Sequence, residues 1–190
     1  MRKIAGAPCW RPSAGNVTRK DWPIETIRQA VAQQWPDFAV EVLAQTDSTN
    51  SELMRRARAG QQGPVLLVAE VQTGGRGRIG RSWQSDTRDS GRIGVLTFSL
   101  GLSLQRHDWS GLSLAVGVSV ASSLHESLQL KWPNDIWLEQ RKMAGILVET
   151  ASMGTSRYVV IGVGLNITAR NPARLSTAPA CLQELLPQCD

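Results

Sequence analysis

Val65-Leu66-Leu67-Val68-Ala69, followed five residues later by Gly74-Gly75-Arg76-Gly77-Arg78-Ile79-Gly80-Arg81, is the stretch on which the reading of this chain turns. Five apolar residues in a row read as a short strand buried on both faces. The octapeptide behind it holds four glycines and three arginines. Glycine lets the backbone approach a ligand closely, and successive N–H groups in such a turn form a concave anion site. Arginine adds a planar fork that matches carboxylate or phosphate oxygens two at a time. Gly75-x-Gly77-x-x-Gly80 spells the dinucleotide fingerprint, but that motif has to open a helix. The continuation Arg81–Gly91 has no 3.6-residue apolar period, and no Gly-Lys-Ser/Thr follows to make a Walker loop.

Working outward, the chain of 190 residues suits one hydrophobic core, and its 42% hydrophobic and 19% charged content describes a globular domain. No apolar run reaches the length of a membrane span, and the basic start lacks a signal-peptide core. Cys9, Cys181 and Cys189 are odd in number and without metal-ligand spacing, which fits a reduced, cytoplasmic setting. The net charge of +5 raises the question of nucleic acid. Arg76, Arg78, Arg81, Arg88 and Arg92 against Asp86 and Asp89 concentrate +3 of it around the loop, where an anionic small molecule explains it as well. Neither a recognition helix nor an aromatic–basic platform is visible.

Residues 1–20 read as a flexible tail. Pro23 opens a helix with Ile24, Ile27, Val31 and Trp35 on one face, and Pro36 ends it. Phe38–Ala44 alternates as a strand. Thr49, or a close neighbour, caps a helix whose Arg55, Arg56 and Arg58 suit its C-terminal dipole, with Gly60 as its stop. Ile93–Leu100 is a strand. The segment from Leu112 to Leu128 fits both periods, and its length and Asp108 as cap favour helix. Ile136–Leu138, Met143–Glu149 and Tyr158–Val163 form an antiparallel meander. The expected architecture is α/β (α+β), a mixed, largely antiparallel sheet with helices packed on one face. His107 and His125 have no nucleophile beside them, so hydrolytic chemistry is not indicated.

Asp47-Ser48-Thr49-Asn50, Gln72, the Gly/Arg loop, Lys131-Trp132-Pro133-Asn134-Asp135, Lys142 to Glu149 and Gly162-Val163-Gly164-Leu165-Asn166 occur in that order. In this order they resemble the biotin protein ligase family over roughly Phe38–Thr168. The resemblance implies a class II aminoacyl-tRNA-synthetase-like catalytic domain, here residues 21–170, with 171–190 a C-terminal remnant and the SH3-like domain absent. It implies that biotin and ATP, with Mg2+, form biotinyl-5′-AMP, and that biotin passes to a lysine of a carboxylase's biotin carboxyl carrier domain. Ser48, Thr49, Asn50, Gln72, Gly75 and Gly77 then hold biotin. Arg76, Arg78 and Lys131 are both biotin-binding and catalytic, with Lys131 the cation between carboxylate and α-phosphate. Arg78, Arg81, Trp83, Lys131, Asn134, Lys142 and Asn166 face the nucleotide, and Asp135 is the one candidate for magnesium. Trp132, like Trp83, is placed near ligand. With no winged-helix module before Phe38, nucleic acid is not an expected partner, nor is a membrane; a homodimer stays open. Two alternatives remain: a lipoate ligase, and a biotin-binding or carrier-docking module without full activity.

Overall fold

The alternation and apolar runs read above assemble into one seven-stranded sheet. The structure, a computed structural model, describes residues 22–85, 93–105, 109–153, 156–172 and 177–189. Expectations placed on residues 1–20, Arg88, Arg92, His107 and Asp108 lie outside them. In chain order the elements are α1 (Ile24–Val31), β1 (Ala39–Leu43), α2 (Thr49–Arg58), β2 (Val65–Ala69), β3 (Val95–Leu104), α3 (Leu112–Leu124), β4 (Gln129–Lys131), β5 (Asp135–Leu138), β6 (Arg141–Met153) and β7 (Ser156–Asn166). The sheet order is β1-β2-β3-β7-β6-β5-β4, with β1 and β2 parallel and every other pair antiparallel.

Local chemistry fixes the helix ends. Ser48 is the N-cap of α2, its hydroxyl accepting from Ser51 N at 3.4 Å, so the cap is the neighbour of Thr49. Gly60, at φ +90°, turns the chain out of the helix. Helix α3 starts at Gly111 in the left-handed region and ends at Leu124, a turn short of the expected Leu128. Just beyond it, Gln129–Lys131 form the short strand β4, which the sequence pattern had not indicated.

The helices do not share one face of the sheet. Along β7, Val159, Ile161, Val163 and Leu165 join the larger core with Leu112 and Ala121 of α3. The alternate residues Tyr158 and Val160 pack with Leu53, Met54 and Ala57 of α2. Because successive side chains point to opposite faces, α2 and α3 cover opposite faces. The expectation of helices on one face is corrected accordingly.

Residues 177–189 pack onto the sheet. Lys142 N donates to Ala178 O at 2.8 Å, and Ala180 N donates to Lys142 O at 2.9 Å, so this segment adds a bridge beside β6. Ala180 and Leu182 enter the larger core, and Arg141 grips Glu184 at 2.6 Å.

Candidate active site

Sheet register places one row of residues on the α2 face: Thr97 of β3 beside Gly164 of β7, then Gly145 of β6 and Asp135 of β5. A cleft of about 630 Å³ lies over this row. Two glycines are required by what rests on them. A Cβ on Gly162 would overlap the Asn50 side chain, and one on Gly164 would overlap the Trp83 indole. The sheet surface is thus pared to backbone where α2 and the Gly/Arg loop come down on it.

One end of the cleft is a closed polar corner. Ser48, Thr49, Asn50 and Gln72 are all buried. Gln72 Oε1 accepts from Thr49 N at 2.8 Å and from the Thr49 hydroxyl at 3.1 Å. The fully buried Ser99 hydroxyl is placed to donate to Asn50 Oδ1 at 2.6 Å or to Thr49 Oγ1 at 2.7 Å. Asn50 Nδ2 donates to Leu147 O at 3.2 Å and to Glu149 Oε2 at 3.0 Å. The Asn50 amide is therefore fully committed to protein partners. Among the described residues, the Ser48 hydroxyl proton and Gln72 Nε2 are left to face a ligand. Upstream, Asp47 Oδ1 accepts from Ser48 N at 2.8 Å, and Arg55 holds both oxygens of that carboxylate, at 2.7 and 2.8 Å. The Arg55 guanidinium, above all other groups, keeps the Asp47 carboxyl well below the usual carboxylate range.

The other end is cationic and open. The Gly/Arg loop folds back on itself, with Gly77 N donating to Arg81 O at 2.7 Å and Trp83 N to Gly75 O at 2.8 Å. Its tip is a single 3-10 turn, Arg78–Gly80, and not the helix a dinucleotide motif needs. Arg78 and Arg81 stand along the cleft wall, both exposed. Lys142 lies over Gly145, its ammonium 2.8 Å from Asp135 Oδ1. This contact is an ion pair without hydrogen-bond alignment, since Asp135 Oδ1 has no directed donor among the described residues. The Trp83 Nε1, buried on the cleft wall, has no partner either among those residues.

Most of the expected site residues meet here. Ser48, Thr49, Asn50, Gln72, Arg76, Gly77, Arg78, Arg81, Trp83, Asn134, Asp135, Lys142 and Asn166 all line the cleft. Asn134 does so as a turn-former, its Nδ2 donating to Ile146 O at 2.8 Å. Asn166 is spent on holding backbone: Nδ2 donates to Lys142 O and Ala180 O, and Oδ1 accepts from Arg170. Three expected residues are absent from the lining. Gly75 is buried against the Trp83 carbonyl and Gln72. Lys131 stacks its ammonium 3.6 Å from the Trp137 ring centre, and Trp132 is 77% exposed on the turn outside. The cation that the structure brings to the cleft from the second half of the sheet is Lys142.

A β-bulge explains how Lys142 comes to face the cleft. Ile136 pairs with Ala144 but Trp137 pairs with Lys142, so Met143 is the extra residue. Met143 and Ala144 both enter the core, and Lys142 is returned to the cleft face. Simple alternation from Gly145 would have buried Lys142 on the α3 side. Gly145, inside the Lys142–Glu149 stretch, and Arg170, which the sequence did not set apart, also line the cleft.

The residues present do not build a magnesium site on their own. Asp135 is the one acidic residue on the cleft wall among the described residues, and its charge is met by Lys142. No group of three or more His, Cys, Asp or Glu suited to a metal occurs among those residues.

Fold and cleft together define the class: an α/β domain that joins a closed polar pocket to a cationic mouth, suited to a ligand with an uncharged head and an anionic tail. Comparison with known proteins gives the class its family. Residues 42–166 match the biotin/lipoate A/B protein ligase family. The chain is 41% identical over 137 residues to the biotin–[acetyl-CoA-carboxylase] ligase of Mycobacterium tuberculosis, covering 68% of this chain and 49% of that protein. It is 38% identical over 156 residues to the bifunctional ligase/repressor BirA of Escherichia coli, covering 78% and 47%. Among solved structures it resembles the biotin protein ligase from Aquifex aeolicus in complex with biotin and ATP. That match has a TM-score of 0.59 and 30% identity, covering 77% of this chain and 60% of that one. This chain belongs to the biotin/lipoate A/B protein ligase family. It spans about half the length of the curated relatives it matches. Among the described residues no helix is long and apolar enough to cross a membrane.

Proposed function

We propose that this chain carries the catalytic domain of a biotin protein ligase, which joins biotin to AMP and then to a lysine of a carrier domain. The observation that carries the reading is the placement of Lys142 over Gly145 at the open end of the cleft, beside Trp83 and Asp135. The biotin carboxylate attacks the α-phosphorus of ATP; the new C–O–P linkage forms as pyrophosphate leaves with its electron pair. Two anions must meet, so the barrier is chiefly electrostatic, and fixed cations lower it more than a general base does. Lys142 slides from Asp135 to the approaching carboxylate and phosphate, an exchange made easy by the poor alignment of its present ion pair. Arg78 and Arg81 lie on the same wall to receive phosphate oxygens.

The Ser48 hydroxyl and Gln72 Nε2 read the ureido ring, while Thr49, Asn50 and Ser99 hold that corner still. Magnesium, where it takes part, arrives on the nucleotide phosphates, as that ion commonly does. The acceptor is a biotin carboxyl carrier domain, whose lysine amine attacks the mixed anhydride and releases AMP. Titration calorimetry with biotin, alone and with ATP, followed by pyrophosphate release, tests the reading. Biotin binding with release supports it. Binding without release indicates a binding module, and binding of lipoate in place of biotin indicates the sister activity.

A further inference from the structure

Arg76 and Glu149 face each other where the loop meets the sheet, and neither is used by the reaction above. Glu149 is on β6, two residues beyond Leu147 on the α2 face, and its side chain is 20% exposed. Its two oxygens are divided: Oε2 accepts from Asn50 Nδ2 at 3.0 Å and Oε1 from Arg76 NH2 at 2.7 Å. Arg76 NH1 donates in turn to Ser51 Oγ of α2 at 3.1 Å. The carboxylate thus ties three separate segments together: the start of α2, strand β6 and the Gly/Arg loop. No other side-chain type serves both partners, since each partner offers N–H and only a carboxylate accepts freely at both oxygens.

We propose that Glu149 is a positioning residue: it staples the Gly/Arg loop to the sheet through Arg76 and fixes the Asn50 amide, so that the Arg76 guanidinium is a structural cation and not an anion-binding one. The consequence rests on the ligase reading for its kinetics but not for its geometry. With the staple in place, the loop stands over the polar corner before any ligand arrives, and Arg78 and Arg81 remain the cations that meet phosphate. Glu149→Gln keeps an oxygen for Asn50 and turns an N–H group on Arg76, so it opens the staple selectively.

The test is limited trypsin cleavage after Arg78 and Arg81 together with steady-state kinetics in biotin, for the parent chain, Glu149→Gln and Arg76→Gln. Cleavage in the loop follows the population of the open form. Both variants are expected to raise loop cleavage about tenfold with cleavage after Arg157 unchanged. Both are expected to raise the biotin KM about tenfold while kcat stays within about threefold, the mark of lost binding geometry and not of lost chemistry. Arg76→Gln removes the pair from the exposed side, and so keeps the test valid if Glu149→Gln does not fold. The exchanged pair, Glu149→Arg with Arg76→Glu, should recover part of the loop protection. Parent-like loop cleavage in both variants overturns the proposal. So does a loss of kcat of about a hundredfold or more in Arg76→Gln with the loop still protected, which would make Arg76 an anion-binding group. If the parent chain turns over no biotin while loop cleavage responds as stated, the ligase reading fails and the staple stands.

Discussion

The two ends of the cleft are built on opposite terms. At the corner formed by Ser48, Thr49, Asn50, Gln72 and Ser99, side chains are buried and nearly every polar atom has a protein partner. At the mouth, Arg78 and Arg81 line an open wall, Lys142 holds Asp135 without alignment, and Trp83 buries an N–H that has no partner among the described residues. A satisfied buried network specifies one geometry, whereas a loosely committed set of cations can reorganise around arriving charge. The corner is therefore preorganised for an uncharged, hydrogen-bonding group, and the mouth keeps its capacity for anions.

The strongest way to separate the halves is Lys142→Ala. Adenylate formation, read by pyrophosphate release, should fall by about 10²-fold or more, the scale of losing one preorganised charge-stabilising group. Biotin affinity by calorimetry should change far less, and Lys131→Ala should leave both within about threefold. Equal losses from the two lysines would return Lys131 to the site.

Gly162→Ala attacks the contact on which the corner rests. A Cβ there meets the Asn50 amide. Forcing it into a packed contact should cost about 1–3 kcal/mol in urea unfolding. Biotin affinity should fall with it, because Asn50 cannot move without releasing Ser99 and Glu149. Unchanged stability would show that the corner is softer than the contact implies.

Ser99→Ala removes the buried hydroxyl beside Asn50 Oδ1. An amide oxygen left without a donor costs about 1–3 kcal/mol, with the lower half of that range expected since Asn50 keeps two other bonds. Chemical denaturation measures it. Adenylate formation at saturating biotin should hardly change, which places the loss in the closed half alone.

The smallest effect lies outside the cleft. The Asp47 carboxyl is held low, first of all by the Arg55 hydrogen bonds, in a half-exposed pair. A depressed folded pKa stabilises the protein above the unfolded carboxyl value of about 3.9, and the contribution is lost as pH falls below that value. The stability gap between the parent and Arg55→Ala should thus be present at neutral pH and shrink below about pH 4. A gap that persists undiminished into acid would assign Arg55 a packing role.

How far the sequence discloses this arrangement depends on whether period or register carries the information. Alternation in Phe38–Ala44, the apolar run at Val65–Ala69 and the meander from Ile136 are local patterns, and β1, β2, β5, β6 and β7 follow them. Strand β4 has three residues, two of them polar, and exists through its pairing with β5, so no period announces it. The division of α2 and α3 between two faces depends on β3–β7 pairing across the chain, which composition does not encode. In the site, the motif residues of the corner are contiguous or close to glycine and are legible. The turn of Lys142 toward the cleft is not, because a one-residue bulge at Met143 decides it, whereas Lys131, paired with Asp135, carries its ammonium on the Trp137 ring. Ser99 has no mark beyond its place in a strand, and Glu149 only closes the Lys142–Glu149 stretch; three-dimensional register brings both to Asn50.

The junction of β3 with β7 sets the order in which this molecule can acquire its site. Val95 pairs with Asn166, about seventy residues further on, while pairs inside each half of the sheet are mostly local. Ser48 to Asn50, Gln72, the Gly/Arg loop and Ser99 belong to the first half of the chain, and Asp135, Lys142, Gly145, Gly162 and Gly164 to the second. Each half can collapse early at little cost in chain entropy, but the seam between them closes only after the large loop-closure cost is met. Binding competence therefore appears with the last cooperative step of folding and not gradually. A ligand that binds only across the closed seam would pull the whole folding equilibrium by RT ln(1 + [L]/Kd).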